Sequence, residues 1–305
     1  MYIIEAIERL CIATRADGRS PRTVKSYREK LGHLAAFLGA DRDVASITTQ
    51  ELRTFVAAQY DAGLSPFTVS TRAKAVKRLF NWLHAEGLLE ANPAQRFATP
   101  TPKRHAPKGI AMEDIEALLA TCNGDTVADR RDRAIMLFLL DSGCRAGGLV
   151  GLRIDDLNFD DGLALVTEKG DKQRYVMFVD ATADALQAWL DVRPECRAPE
   201  VFVGLRGKGP LTPSGLWQLL KRRAGKAGVT APVGPHDWRH TFARLYLLSG
   251  GDLGTLSQIL GHSDVRTTVD YYALYTVGEL RPKHRRHSPV AQMTGGGYNG
   301  NSQGT

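Results

Sequence analysis

The sequence is short of cysteine, of long apolar runs and of metal-ligand spacings, and each shortage removes a class of function. The four cysteines, Cys11, Cys122, Cys144 and Cys196, lie far apart with no C-x-x-C pair. That pattern supplies neither a disulfide framework nor a zinc knuckle and leaves reduced, buried thiols as the expectation. No stretch approaches the ~20 apolar residues needed to cross a bilayer. The opening MYIIEAIERL carries acids where a secretory leader carries bases, so a cytoplasmic protein with no membrane partner is expected. His236 and His240 stand four apart on a helical pattern, but H-E-x-x-H needs glutamate in second place and the chain has Asp237; no metal is expected there. Acid is also the scarcer charge: 33 Asp and Glu against 40 Lys and Arg leave +7. That balance suits a protein that neutralises phosphates and by itself only permits a nucleic-acid partner.

What is present, over 305 residues, reads as two domains. Ser20-Pro21 pairs an N-cap with proline at the first helical position, and Val24, Tyr27, Leu31, Leu34 and Leu38 then share one face. A second helix begins at Thr48, where Thr48 and Glu51 form a capping box and Ile47 can staple onto Leu52; Phe55, Val56 and Tyr60 continue its face until Gly63. A third starts at Ser65-Pro66 and buries Val69, Ala73, Val76, Phe80 and Leu83. Its flank carries Arg72, Lys74, Lys77 and Arg78 with no acid before Glu86. Such a run is most often a solvated face, but its single sign also fits a surface laid along a DNA backbone.

Periodicity lapses in TPTPKRHAPKG, a proline-rich, basic stretch that reads as an interdomain linker. The expected division is a helical domain over 1–98, a linker over 99–109, a second domain over 110–290 and a disordered tail over 291–305. In the second domain helical patterns at 112–122 and 129–141 precede two β-like runs, Leu163 to Thr167 and Arg174 to Phe178, joined by a charged turn from Glu168 to Gln173. Further helical patterns fall near 181–191, 213–227, 236–249, 254–260 and 265–274. The fold class is mainly α with a small antiparallel β-sheet.

Four segments of the second domain hold an unusual set: Arg145 in DSGCRAGGLVGLR, Lys169 in TEKGDKQRYV, His236 and Arg239 in PHDWRHTFA, and His262 with Tyr271 in LGHSDVRTTVDYY. Phosphoryl transfer unites them. A phosphodiester under attack gathers negative charge on its non-bridging oxygens, which two arginines can meet with paired, charge-assisted hydrogen bonds. A tyrosine hydroxyl, with a pKa near ~10, needs a base or a strongly positive site to become a nucleophile, and histidine titrates in the required range. Each residue also has a plainer reading: Arg145 as a cap, Lys169 as a turn lysine, Tyr271 and Tyr272 as core.

The set resembles the tyrosine recombinase, or phage integrase, family over nearly the whole chain. The family's first arginine box, T-G-x-R-x-x-E-L-x-x-L, is matched by Ser142, Gly143, Arg145, Leu149 and Leu152, and its hairpin lysine by Lys169. The second, H-x-x-R-H-T-F-A, is matched by His236, Arg239, His240, Thr241, Phe242 and Ala243. The third, L-G-H-S followed by tyrosine nine residues after the histidine, is matched by Leu260, Gly261, His262, Ser263 and Tyr271. Length and the tail ELRPKHRRHSPV are most similar to the Xer-like branch.

The resemblance implies a helical SAM-like core-binding domain and a catalytic domain that together grip double-stranded DNA carrying a specific recombination site. Tyr271 would form a 3′-phosphotyrosyl link, Lys169 would protonate the departing 5′-oxygen, and His236 would act as base. Arg145, Arg239 and His262 would hold the phosphate, with no cofactor or metal. It further implies a homotetramer on two duplexes, with 276–289 packed on a neighbour, and room for a second recombinase or an accessory DNA-bending protein. Type IB topoisomerase-like cleavage and a catalytically silent DNA-binding relative are the alternatives; a plain helical interaction protein would leave the four boxes unexplained. Three positions depart from the pattern. Gly148 stands where the family has glutamate, which removes an acidic partner, and Gly147-Gly148 weakens the local helix by about 1 kcal/mol per glycine. Met177 and Trp238 replace proline and leucine and read as packing variations.

Overall fold

The computed structural model describes residues 1–102, 109–168, 172–205 and 209–261, together with 268, 269, 279, 281, 284 and 290. The chain divides into two compact units, Met1–His105 and Ala106–Thr305.

The first unit is built from α1 (Ile3–Ala16), α2 (Pro21–Leu38), α3 (Thr49–Asp61) and α4 (Pro66–Ala85). The local chemistry of its helix starts is visible. Ser20 Oγ accepts from Thr23 N at 3.3 Å and Ser65 Oγ from Thr68 N at 3.2 Å. Thr48 and Glu51 cap reciprocally at 3.2 and 2.9 Å. Helix α1 goes beyond the sequence reading, which took this stretch only for its lack of a leader; Ile3, Ala6, Ile7 and Leu10 are its buried stripe. That stripe meets Leu31 and Leu34 of α2, Leu52 and Phe55 of α3 and Val76, Phe80 and Leu83 of α4 in one core. Tyr60 departs from expectation. It is exposed, and Gln59 is buried in its place, donating to Phe55 O at 3.3 Å and accepting from Arg72 at 3.2 Å.

The second unit contains α5 (Met112–Ala120), α6 (Val127–Ser142), α7 (Ala146–Val150), β1 (Leu157–Asn158), β2 (Leu163–Glu168), β3 (Lys172–Met177), α8 (Asp180–Leu190), α9 (Pro213–Ala227), α10 (Pro235–Leu248) and α11 (Leu253–Leu260). The sheet is antiparallel in the order β1-β2-β3, with Val166 opposite Arg174 and Glu168 opposite Lys172. The strands therefore run further than their apolar residues suggest. Glu168, Lys172 and Gln173, read from sequence as turn residues, are paired strand residues, because the ladder is closed by backbone bonds that do not depend on side-chain polarity. Two-residue β1 is too short to show any period, and the five-residue α7 forms despite its two glycines. Trp238 is fully buried in the core, whereas Met177 is 45% exposed on the outward face of β3 and packs little. The helical pattern at 265–274 and the tail at 291–305 lie outside the described residues, apart from helical Thr268 and Val269. Cys11, Cys122 and Cys144 are buried thiols and Cys196 is half-buried.

A charged knot holds this unit's core. The carboxylate of Asp132 on α6 is 0% exposed and receives Arg131 at 2.7 Å and Arg223 of α9 at 2.7 Å. Arg223 also meets Asp129 at 2.9 Å and the Thr121 carbonyl at 2.6 Å, so α5, α6 and α9 are tied through one guanidinium. Buried ions are tolerated only when such partners are complete, and removing one strands the rest. Asp132→Ala should lower the unfolding free energy by about 3–5 kcal/mol, read as a fall in the urea midpoint at unchanged slope.

Candidate active site

Helix α6 ends at Ser142, and Gly143 takes the left-handed conformation, φ 57° and ψ 22°, that turns the chain back. Two constraints keep side chains off Gly143. The backbone is strained for any L residue, and an added Cβ would strike the Phe242 ring of α10. The turn puts Arg145 at the N-cap of α7 and leaves the Gly143 carbonyl facing α10, where Arg239 Nη1 donates to it at 2.8 Å. Arg239 Nη2 donates to the Leu260 carbonyl at the end of α11 at 2.7 Å. Its guanidinium, 3% exposed, is thus fixed between two chain reversals.

The sheet delivers the opposing charge. Glu168, the last residue of β2, has a side chain only 6% exposed. It forms an ion pair with Arg145, accepts from Arg174 of β3 at 3.0 Å and lies 4.0 Å from Arg239. Arg174 in turn donates to the Ile259 carbonyl of α11. Among the described residues three guanidiniums meet one carboxylate, which makes the cluster positive, and Arg145, 36% exposed, is its most open member. Such a cluster favours an anion with several oxygens.

His236 opens α10 one turn before Arg239, and its ring stacks on that of His240 at 5.8 Å and 21°. Partial burial, Arg239 and Arg145 together push the His236 pKa below its ordinary value. Burial and the neighbouring His236 do the same to His240. Both shifts favour the neutral, proton-accepting form of the rings. Of the six residues expected to carry chemistry, the fold brings Arg145, His236 and Arg239 together. Lys169, His262 and Tyr271 lie outside the described residues, though Lys169 directly follows Glu168 and His262 directly follows Gly261 at the α11 C-cap. Glu168 and Arg174 are the members that sequence reasoning missed. Their signal was the two-residue strand period from buried Val166, hidden once the hairpin tip was drawn too wide.

The basic flank of α4 divides. Lys74 and Arg78 are exposed. Arg72 bonds Gln59 at 3.2 Å and His33 at 2.9 Å, and Lys77 donates to the Phe97 carbonyl at 3.1 Å.

The comparisons with known proteins agree across both units. The phage integrase family model matches residues 108–276, and that of the phage integrase N-terminal SAM-like domain matches 14–87. The tyrosine recombinase XerD of Listeria monocytogenes is 30% identical over 283 residues, covering 90% of this chain and 95% of that one. The tyrosine recombinase XerC of a Mycobacterium species is 34% identical over 287 residues, covering 90% and 95%. Among solved structures, the Tn1549 transposon integrase in complex with a circular intermediate DNA aligns with a TM-score of 0.77 at 20% identity, over 93% of this chain and 99% of that one.

The lowered pKa values of His236 and His240, joined by that of His33 in the first unit, carry a pH signature. The unfolded chain protonates these rings near the ordinary value of 6.5 while the folded one resists. Stability is therefore fully present above that value and falls as pH drops below it. Urea unfolding between about pH 5 and 8 should show this decline, and His240→Gln should flatten it; an unchanged slope in the variant would assign the decline to other groups.

Proposed function

The chain belongs to the phage integrase family and is a tyrosine recombinase, an enzyme of site-specific DNA recombination, and from that premise we propose that its reaction centre is Arg145, Lys169, His236, Arg239, His262 and Tyr271. The observation that carries this reading is the meeting of Arg145 of the first arginine box with Arg239 of the second, around a single buried carboxylate.

In the first step the Tyr271 oxygen attacks the scissile phosphorus. A P–O bond to tyrosine forms as the bond to the 5′-oxygen breaks. His236, its neutral form favoured, takes the phenolic proton, and Lys169 gives one to the leaving oxygen. Arg145, Arg239 and His262 meet the charge that builds on the non-bridging oxygens. The exchange is isoenergetic in phosphoester bonds, so a 5′-hydroxyl from another strand reverses it with no nucleotide consumed. The nine-residue interval from His262 is why Tyr271 rather than Tyr272 is assigned.

The partner is double-stranded DNA. Lys74 and Arg78, exposed on α4, suit phosphate contacts that position the duplex without reading it, whereas Arg72 and Lys77, already bonded within the protein, suit a supporting role. The finer reading is a linker over 99–109 between core-binding and catalytic domains, a homotetramer on two duplexes, and the segment 276–289 as the link between neighbours, with a second recombinase or a bending protein as the accessory. Arg244 of α10 forms an ion pair with Glu279.

Covalent capture tests the nucleophile. Wild-type protein, Tyr271→Phe and Tyr272→Phe are incubated with a fragmented, nicked library of the source genome, and DNA still linked after denaturation is sequenced. Discrete sites should be captured by wild type and Tyr272→Phe, and by Tyr271→Phe not at all. The reverse pattern refutes the assignment, and no capture by any of the three refutes strand cleavage.

A further inference from the structure

The first arginine box lacks its acid at Gly148, yet the arginines of this cluster are not without one. Gly148 is buried, and a Cβ built on it would lie 3.3 Å from Val166 Cβ, so β2 approaches α7 more closely than a side chain at 148 comfortably allows. Val166 and Glu168 are two residues apart on one strand and point to the same face. The close approach that seats Val166 on Gly148 also carries the Glu168 carboxylate to Arg145, Arg174 and Arg239.

We propose that Glu168 is the acidic positioning residue of this active site, supplied from strand β2, and that Gly148 is the matching half of the exchange: the acid has moved from helix to strand, and the helix has given up its side chain to let the strand in. The inference rests on the functional reading above and deepens it. Glu168 acts through the guanidiniums, whose spread it fixes before DNA arrives. Without a counter-charge, Arg145, Arg174 and Arg239 would repel one another, and Arg145, the most exposed of the three, would swing to solvent.

The test uses the full-length protein and a nicked duplex bearing a site captured by the wild type, so failure of the functional reading appears first, as no wild-type cleavage, and overturns this inference with it. Given wild-type cleavage, Glu168→Gln keeps shape and removes charge. Its single-turnover cleavage rate should fall about 100-fold, the scale expected when reacting groups are misplaced by ~1 Å. Its Kd for the same duplex should change by less than about threefold, because affinity comes mostly from phosphate contacts elsewhere. Returning an acid to the helix in the triple variant Gly148→Glu, Val166→Ala, Glu168→Gln should recover at least about tenfold of the lost rate, part of what repositioning is worth. Should Glu168→Gln fail to fold, Glu168→Asp carries the measurement, with an intermediate rate at wild-type affinity expected. A wild-type rate in either single variant overturns the proposal. So does a parallel loss of rate and affinity with no recovery in the triple variant, which is what a merely structural carboxylate would give.

Discussion

A carboxylate that is almost wholly buried keeps its charge only if opposite charge meets it, and Glu168 meets three guanidiniums drawn from α7, β3 and α10. Every other feature of the site follows from keeping that meeting point intact. The left-handed turn at Gly143 places Arg145 and at the same time offers the carbonyl that orients Arg239. The end of α11 offers two more carbonyls, Ile259 to Arg174 and Leu260 to Arg239. Chain reversals, which leave backbone oxygens without helical partners, are here the sockets into which the arginines are fixed. The net positive charge that remains is the resource a phosphodiester exploits.

The second unit contains another buried ionic group. Around Asp132 the carboxylates and guanidiniums satisfy each other deep in the core, and Arg131 and Arg223 are held at full burial. That knot fastens helices. Around Glu168 three guanidiniums from three elements converge on one carboxylate beside the His236 ring.

Much was legible in the sequence because much of it is local. Ser20-Pro21, Thr48 with Glu51, and Ser65-Pro66 state their helix starts in side-chain chemistry that needs no tertiary context. The family's boxes were legible because each is a short run of residues close together along the chain. What escaped is relational. That Glu168 is a strand residue depends on backbone pairing with Lys172 across the sheet, and that it replaces an acid absent at 148 depends on how closely α7 and β2 approach. Gly148 looked like a loss when read along the chain; across the fold it is the space into which Val166 packs. Tyr60 and Gln59 make the same point on a smaller scale, since the hydrogen bonds that bury a glutamine are invisible to a hydrophobic period.

The central claim is that the arginine cluster exists to meet charge on a phosphate. Cleavage of a captured site carrying a methylphosphonate at the scissile position measures this most directly, because that group presents no anionic oxygen. The account predicts that the rate deficit of Arg145→Ala relative to wild type shrinks on the neutral substrate, since there is less charge to stabilise. An equal deficit on the two substrates would contradict it and return Arg145 to the scaffold.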